Sequence, residues 1–509
     1  MRSQTRLIAA TVTFLLITLS LFQWKAVEIP NYLPQKAHDY FHPDLYIGEN
    51  PQTSHEPLKA ADQPGTSAEE ETELDRLLDE FTKRPVLTYE QSFEANSKTC
   101  PTEGVNFDVN AVNGNAENWP NITSSQISDW RHGIVAHLRQ RQIEQREKTK
   151  SESFFVGDKP GNGNQRGRGI VMAVGDRAAA IRARTNIRLL QSYNCTLPVE
   201  IFHFSTELTE SDKNLLEELS QSNFPAGSQE RSEGMKVSIK TVEKMERGND
   251  WKAFQIKGAA MQQSSFDEIL YLDTDSYLVR NPNYLFEGKE WKATGLLLWP
   301  DYTKSHASNP LWRLLGQRCR NEYEGESGQI LISRTHHQDL LWLVEYFALN
   351  HNDYYGFMGG DRDSFRAAAL LLGKRWAGPG RLNAAAGVVM PNNPQGDGHT
   401  MLQADPEGRW TFVHANLIKH ARFNRPLWAQ IHRAAKDKYE AGTTYGSIEA
   451  PNDKIGEGVM LQVASTPRMV SSMSSFEGYD QSLVAVEDWD TYEELKGFEE
   501  KWFGFGAVH

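Results

Sequence analysis

Two aspartates one residue apart, Asp273 and Asp275, close the apolar run Ile269-Leu270-Tyr271-Leu272. Carboxylates at i and i+2 just past a strand end can both reach one hard divalent cation. Mg²⁺ or Mn²⁺ held in this way keeps its other positions for water and phosphate oxygens. Asp-x-Asp is also an ordinary solvated turn, and Arg280-Asn281-Pro282 follows as a turn signal, so the surrounding elements must decide between the two readings. Two further groups are of the same kind. Glu326-Ser327-Gly328-Gln329 precedes an apolar strand, and Gly328, lacking a side chain, lets the backbone approach a ligand closely. Asp361 and Asp363 open a helix after Gly359-Gly360; one carboxylate there suits a helix cap, which leaves the other for a ligand.

The elements that must position these residues alternate in type. Gly169–Val174 is an apolar run closed by Gly175, Val199–Phe204 alternates as a strand, and Val237–Val242 and Glu268–Leu272 read as two more. Helical spacing lies between them at Ala178–Tyr193, Asp212–Gln221 and Lys252–Ser264. Strand alternating with helix predicts an α/β fold with a central, mostly parallel sheet covered on both faces. Ligands in such sheets bind at the carboxyl ends of strands, where Asp273 and Asp275 fall. Further strands are predicted at Thr294–Pro300, Gly328–Ser333, Gly387–Met390 and Trp410–Val413, with helices at Gln338–Leu349 and Asp363–Leu372. Beyond Phe423 the spacing predicts a helix over Leu427–Tyr439 and a loop over Ala441–Gly456, with no chemistry assigned to either.

Composition bounds the rest. With 54 Lys+Arg against 67 Asp+Glu, the net charge of −13 across 509 residues argues against general nucleic-acid binding, which needs a basic footprint. Cys100, Cys195 and Cys319 allow at most one intrachain disulfide, and none has zinc-ligand spacing. Arg2 and Arg6 precede an uncharged stretch, Leu7–Trp24, closed by Lys25, which is long enough for a signal-anchor helix with everything beyond it in the lumen. Ala26–Pro85 is polar and proline-rich, with Leu74, Leu77, Leu78 and Phe81 at helical spacing, and reads as a stem with one short amphipathic helix. In Ile127–Lys150, Trp130, Ile134 and Leu138 share a face, predicting a helix that packs on the edge of the next domain. Gly157–Gly167 reads as a loop and boundary. Asn121 and Asn194 head glycosylation sequons compatible with luminal exposure. No Walker-type phosphate loop, nucleophile elbow or His-Glu-x-x-His pattern is present in the sequence.

Seven short segments coincide with one family. They are Gly167–Val171, Leu197–Phe202, Ser265–Asp275, Thr294-Gly295 through Trp299-Pro300-Asp301, Glu326–Gln329, Gly360–Phe365 and His414-Ala415-Asn416. In these segments, and in their order, the chain resembles the fungal Golgi α-mannosyltransferases that build outer chains of N-glycans and cell-wall mannan. The resemblance covers roughly Gly167 to His420. It implies a single Rossmann-like nucleotide-sugar transferase domain of the GT-A type, with GDP-mannose as donor, an α-mannoside acceptor, Mn²⁺ or Mg²⁺ as cofactor and retention of configuration. The domains expected are a cytosolic tip and anchor (1–25), a luminal stem (26–150), a catalytic domain (151–425) and a C-terminal extension (426–509), in a single-pass type II protein of the Golgi membrane.

Roles for single residues follow, some from the resemblance and some from their places in the predicted elements. Asp273, Asp275 and His414 would hold the metal, and Lys419 or His420 would neutralise the diphosphate. Val174 and Gly175 at the end of the first strand, Thr274 and Arg182 would line the donor, with a solvated helical residue as the default for Arg182. Asp361 is favoured over Asp363 as the sugar-facing carboxylate; related enzymes carry Gln between two such aspartates where this chain has Arg362, which leaves a nucleophile-like role open. Glu326, Gly328 and Gln329 would meet sugar hydroxyls, while Trp299, Asp301, Tyr302 and Trp312 would line the acceptor side, against the default of Trp in a core. An α-1,2 link is expected, with an α-1,3 link, a UDP-sugar donor or a non-catalytic glycan-binding protein as alternatives.

Overall fold

The computed structural model describes residues 67–100, 102, 116–155, 167–220, 235–247, 254–387, 398–420, 425–439, 444–445 and 483–507. The expected anchor at Leu7–Trp24 lies outside them, and no helix among the described residues is long and apolar enough to cross a membrane.

Four strands form in the predicted places: β1 (Arg168–Ala173), β2 (Val199–His203), β3 (Val237–Thr241) and β4 (Glu268–Leu272). They pair in parallel in the spatial order β3-β2-β1-β4. Their connections carry the helices Arg177–Ser192, Glu210–Glu217 and Ile256–Gln263, as parallel neighbours require crossovers. β5 (Ser276–Leu278) starts one residue after Asp275 and leaves this sheet. β6 (Leu296–Lys304) and β7 (Tyr323–Ser333) follow, and β7 runs antiparallel to both β4 and β6. β8 (Trp376–Ala377) pairs parallel with β6. The sheet is therefore mixed, where a mostly parallel one was expected. Only its first half repeats the strand–helix–strand unit; β7 returns beside β4 and β6 without a parallel crossover.

A second sheet was not anticipated. β9 (Ala384–Gly387), β10 (Gly398–Ala404), β11 (Trp410–His414) and β12 (Gln430–Ala434) belong to it. β13 (Thr444–Tyr445) pairs instead with β8 at the edge of the first sheet, and β14 (Val484–Asp488) completes the second. The orders are β13-β8-β6-β7-β4-β1-β2-β3 and β14-β12-β9-β10-β11-β5. The helix expected over Leu427–Tyr439 is thus corrected to a strand. Leu427, Trp428, Ile431 and Ala434 are buried at near-helical spacing, yet the backbone at 430–434 pairs with β9 and β14. Available partner strands overrode the local pattern.

Three apolar cores result: one on each face of the first sheet and one beneath the second. Trp428 in the third stacks on Trp489 (5.8 Å between ring centroids) and meets Trp502 edge-on (5.3 Å). The described parts of the tail, β14 and the helix Phe498–Gly504, are therefore integral to the body that the two sheets form rather than an extension from residue 426. The expected stem is corrected in the same way from residue 67 onward. Leu78 and Phe81 of the helix Ser67–Lys83, and Ile134 and Leu138 of the helix Ser124–Phe155, are fully buried in the first core.

The join between these N-terminal helices and the body is polar as well as apolar. Cys100 and Cys319 form a disulfide, which leaves Cys195 as a buried thiol that burial pushes up to about 11. Arg131, almost wholly buried, donates to the carbonyls of Leu314 (2.9 Å), Arg313 (2.6 Å), Arg84 (2.5 Å) and Pro85 (3.2 Å). An Arg131→Met substitution would leave these acceptors without their charged donor, at a cost of about 3 kcal/mol. Urea unfolding should show that loss in a single cooperative transition. An unchanged midpoint would mean that residues 67–155 are not part of the folding unit.

Candidate metal and nucleotide-sugar site

Asp273 and Asp275 lie just beyond the carboxyl end of β4, and their backbone is held from two sides. The Asp273 N–H donates to the Gly328 carbonyl (2.8 Å), and the Asp275 carbonyl accepts from the Ala415 N–H (2.9 Å). β5 then pairs antiparallel with β11, with Ser276 opposite His414. This register delivers His414 to the aspartates from 139 positions away in the chain. One ligand atom from each of Asp273, Asp275 and His414 lies within 4.8 Å of the others. Two carboxylate oxygens and one imidazole nitrogen suit a divalent ion of the Mn²⁺ or Mg²⁺ kind.

The surroundings fit such an ion. The Nδ1 atom of His414 is buried and lacks a hydrogen-bond partner, and its Nε2 lies 3.6 Å from Asp275 Oδ1. The Gly328 backbone lies against the imidazole so closely that a Cβ there would fall 2.4 Å from His414 Cε1. Burial alone would raise the Asp275 carboxyl, but Lys419, His414 and Arg182 hold it well below the usual carboxylate range. Burial likewise opposes charge on His414, and Asp275 beside it outweighs that and lifts the imidazole above its ordinary value. Lys419 pairs closely with Asp275 Oδ2. Arg182 donates through Nε to Thr274 Oγ1 (3.3 Å). Two cations thus border the pair of aspartates, as a diphosphate-bearing ligand requires.

Other expected residues divide. Asp361 joins the site: its Oδ2 accepts from Ser327 Oγ (2.9 Å) and pairs with Lys257 Nζ (2.8 Å). Glu326 faces His414, with Oε1 4.0 Å from Nδ1, and accepts from the Gly328 N–H (2.9 Å); burial raises its carboxyl. Gly175 is exposed beside Glu207 at the end of β1. Val174 is buried, with its N–H bonded to Phe202 O (2.9 Å), so only its backbone borders that end. The side chain of His420 lies outside the described residues. Asn121 and Asn194 are both exposed.

Six assignments are corrected. Asp363 is fully buried and committed to the Gly325 N–H (2.7 Å) and to a two-pronged pair with Arg366 (2.6 and 2.7 Å), so it braces β7 and faces no sugar. Gln329 is buried and accepts from Ser276 Oγ (3.0 Å), linking β7 to β5. Trp299 is core, donating to Ala404 O (2.7 Å) and meeting Phe412 edge-on; Trp312 is core as well, donating to His306 O (3.2 Å). Asp301 is buried against Arg362, which also pairs with Glu324 (2.6 Å), and Tyr302 donates to Ala384 O (2.8 Å). The arginine between the two aspartates is therefore a structural tie.

Lys257, Tyr271 and Ser327 were missed. Tyr271 donates to Asp273 Oδ1 (2.9 Å), and Lys257 contacts Asp273 Oδ2 (2.8 Å). A signal was present for Lys257. It sits in Ile256–Met261, a helical stretch otherwise made of apolar residues and glycine, and all six residues are buried. A lysine there demands anionic partners.

Comparison with known proteins agrees with this region. Residues 167–324 and 317–405 match the family described as "Mannosyltransferase putative". The α-1,2-mannosyltransferase MNN21 of Candida albicans is 29% identical over 272 residues, covering 44% of this chain and 40% of that protein. The α-1,2-mannosyltransferase MNN5 of Saccharomyces cerevisiae is 24% identical over 263 residues, covering 40% and 43%. The chain thus matches less than half the length of either relative. Among solved structures, the WbbM bifunctional glycosyltransferase aligns over 43% of this chain and 39% of its own at 12% identity with a TM-score of 0.29, too slight to carry an argument.

Gly328→Ala tests the packing of the site without touching a ligand atom. Its methyl group must displace the His414 ring, so Mn²⁺ affinity measured by calorimetric titration should fall at least about tenfold, with the thermal transition still cooperative. Unaltered affinity would remove His414 from the ligand set.

Proposed function

We propose that this chain, which belongs to the fungal α-mannosyltransferase family and is a glycosyltransferase, transfers mannose from GDP-mannose to an α-mannoside acceptor, forming an α-1,2 link with retention of configuration. The observation that carries the reading is the convergence of Asp273 and Asp275, within the matched residues 167–405, with His414 and Lys419 just beyond them. The α-1,2 linkage is taken from the relatives' names, and the GT-A type is what the family resemblance implies.

A divalent ion, when bound, supplies Lewis-acid stabilisation of the departing diphosphate. Asp273, Asp275 and His414 would hold it. The side chains do the remaining work. Lys419 and Arg182 offer positive charge to the phosphate oxygens, and Lys419 can leave Asp275 for them once other positive charge reaches that carboxylate. Gly175 and the backbone of Val174 form an open edge for the nucleoside. Asp361 is the carboxylate for the sugar side. In a retaining transfer it either attacks the anomeric carbon or stabilises an oxocarbenium-like centre while acceptor and leaving group share one face. Glu326 accepts hydrogen bonds from sugar hydroxyls beside His414.

The setting proposed is the Golgi lumen, with Leu7–Trp24 as a type II anchor. The Cys100–Cys319 disulfide supports an oxidising compartment, and the exposure of Asn121 and Asn194 is compatible with glycosylation there.

Purified protein with Mn²⁺, GDP-mannose and a defined α-mannoside should release GDP and extend the acceptor by one α-1,2-linked mannose. Chelation of the metal should stop the reaction, and Asp275→Asn should lower kcat/KM by about a hundredfold or more, the order seen when a charge-stabilising group is removed. Turnover that is indifferent to chelator, or confined to a UDP-sugar, would contradict the proposal.

A further inference from the structure

Lys257 is out of place as an ordinary helical lysine. Its side chain is 8% exposed, yet four oxygens lie within 3.2 Å of its Nζ: it donates to Asp273 Oδ2 (2.8 Å), Ser327 Oγ (2.9 Å) and the Ser327 carbonyl (3.2 Å), and forms an ion pair with Asp361 Oδ2 (2.8 Å). The two carboxylates belong to different halves of the site. Asp273 follows β4 on the cation side, and Asp361 precedes the helix Ser364–Leu371 on the sugar side. A single ammonium thus fixes their facing oxygens within twice 2.8 Å of each other.

The helix that carries Lys257 is itself held in place. At Gly258 a Cβ would come within 3.0 Å of Val344, so the backbone sits directly against the helix Gln338–Leu349. Asp361 is less constrained from its own side. It follows Gly359 and Gly360, both at positive φ (66° and 75°), a backbone path that suits glycine. Lys257 and Ser327 both contact its Oδ2, and Ser327 is itself bonded to Lys257. That leaves Oδ1 as the atom to present to a ligand.

We propose that Lys257 is a positioning residue that couples the cation side of the site to the sugar side, by fixing where the Asp361 carboxylate points relative to Asp273. The inference rests on the transferase reading above and deepens it: the sugar-facing carboxylate is aimed by a lysine on a different helix. Lys257 serves charge balance too, since the half-buried Asp273 and Glu326 carboxylates and the buried Asp361 carboxylate gather in one region, and unpaired carboxylates there would separate or take up protons.

The test is a double-mutant cycle of Lys257→Met and Asp361→Asn, with kcat and donor KM measured for the four proteins. Lys257→Met should lower kcat at least about tenfold while donor KM changes less than about threefold. The double variant should be no slower than Asp361→Asn alone, because residues acting as one unit are not additive. Losses that multiply, or a loss confined to KM, would overturn the coupling. Lys257→Arg guards against a folding failure. It keeps the charge but changes the reach, so it should fold, bind Mn²⁺ nearly as the wild type does, and recover only part of kcat; full activity would reduce Lys257 to a counter-ion. If the wild type turns over no sugar nucleotide, the transferase reading fails by itself. The coupling is then read from thermal unfolding of the same four proteins, where additive effects would overturn it independently.

Discussion

The pairing of β5 with β11 is the constraint on which the rest of the site depends. β5 is three residues long and begins immediately after Asp275, so the chain passes from β4 of the first sheet to the second sheet across Asp273, Thr274 and Asp275 alone. Setting Ser276 opposite His414 fixes the histidine to the aspartates by backbone register rather than by side-chain reach. A slip of one residue would turn His414 to the other face of its strand. Gln329 on β7 bonds to Ser276, and the Gly328 carbonyl accepts from Asp273, so β7 locks the same junction from the third side. The second sheet, with its tryptophan-rich core and the strand from the chain's tail, exists in functional terms to hold that register.

Electrostatics makes this junction costly without a ligand. Asp275 is buried, and Asp273 and Asp361 stand close by across Lys257. The protein offsets these charges with its own cations: Lys419 and Arg182 on one side, Lys257 on the other. The two sets differ in kind. Lys419 is partly exposed and able to change partners, whereas Lys257 is enclosed with four oxygens around its ammonium. One is suited to meet a phosphate, the other to hold geometry. Further back, Arg366 with Asp363 and Arg362 with Asp301 and Glu324 brace β7 and the Asp361 loop in the same way.

Much of this was legible in the sequence. The four parallel strands and the helices between them follow from alternating hydrophobic periods, and the close approach at Gly328 follows from the absence of a side chain. Asp273 and Asp275 could be placed at a strand end on this basis, whereas His414 entered through a family resemblance, because the register that delivers it is non-local. The failures share a cause. Whether Asp363 is free for a ligand, whether Trp299 is core or surface, and whether 427–439 is helix or strand all depend on what packs alongside. Lys257 was the most readable omission, a cation in an otherwise apolar helical stretch, but its partners lie 16, 70 and 104 positions further along the chain, at Asp273, Ser327 and Asp361.

The central claim is that Asp273, Asp275 and His414 form one divalent-ion site in a transferase. Pulsed electron paramagnetic resonance of Mn²⁺ bound to the protein with GDP tests it most directly. The account predicts nitrogen coupling from a single directly bound imidazole, together with phosphorus coupling from the diphosphate, and loss of the nitrogen coupling in His414→Gln. Mn²⁺ bound with full affinity and without nitrogen coupling would contradict it.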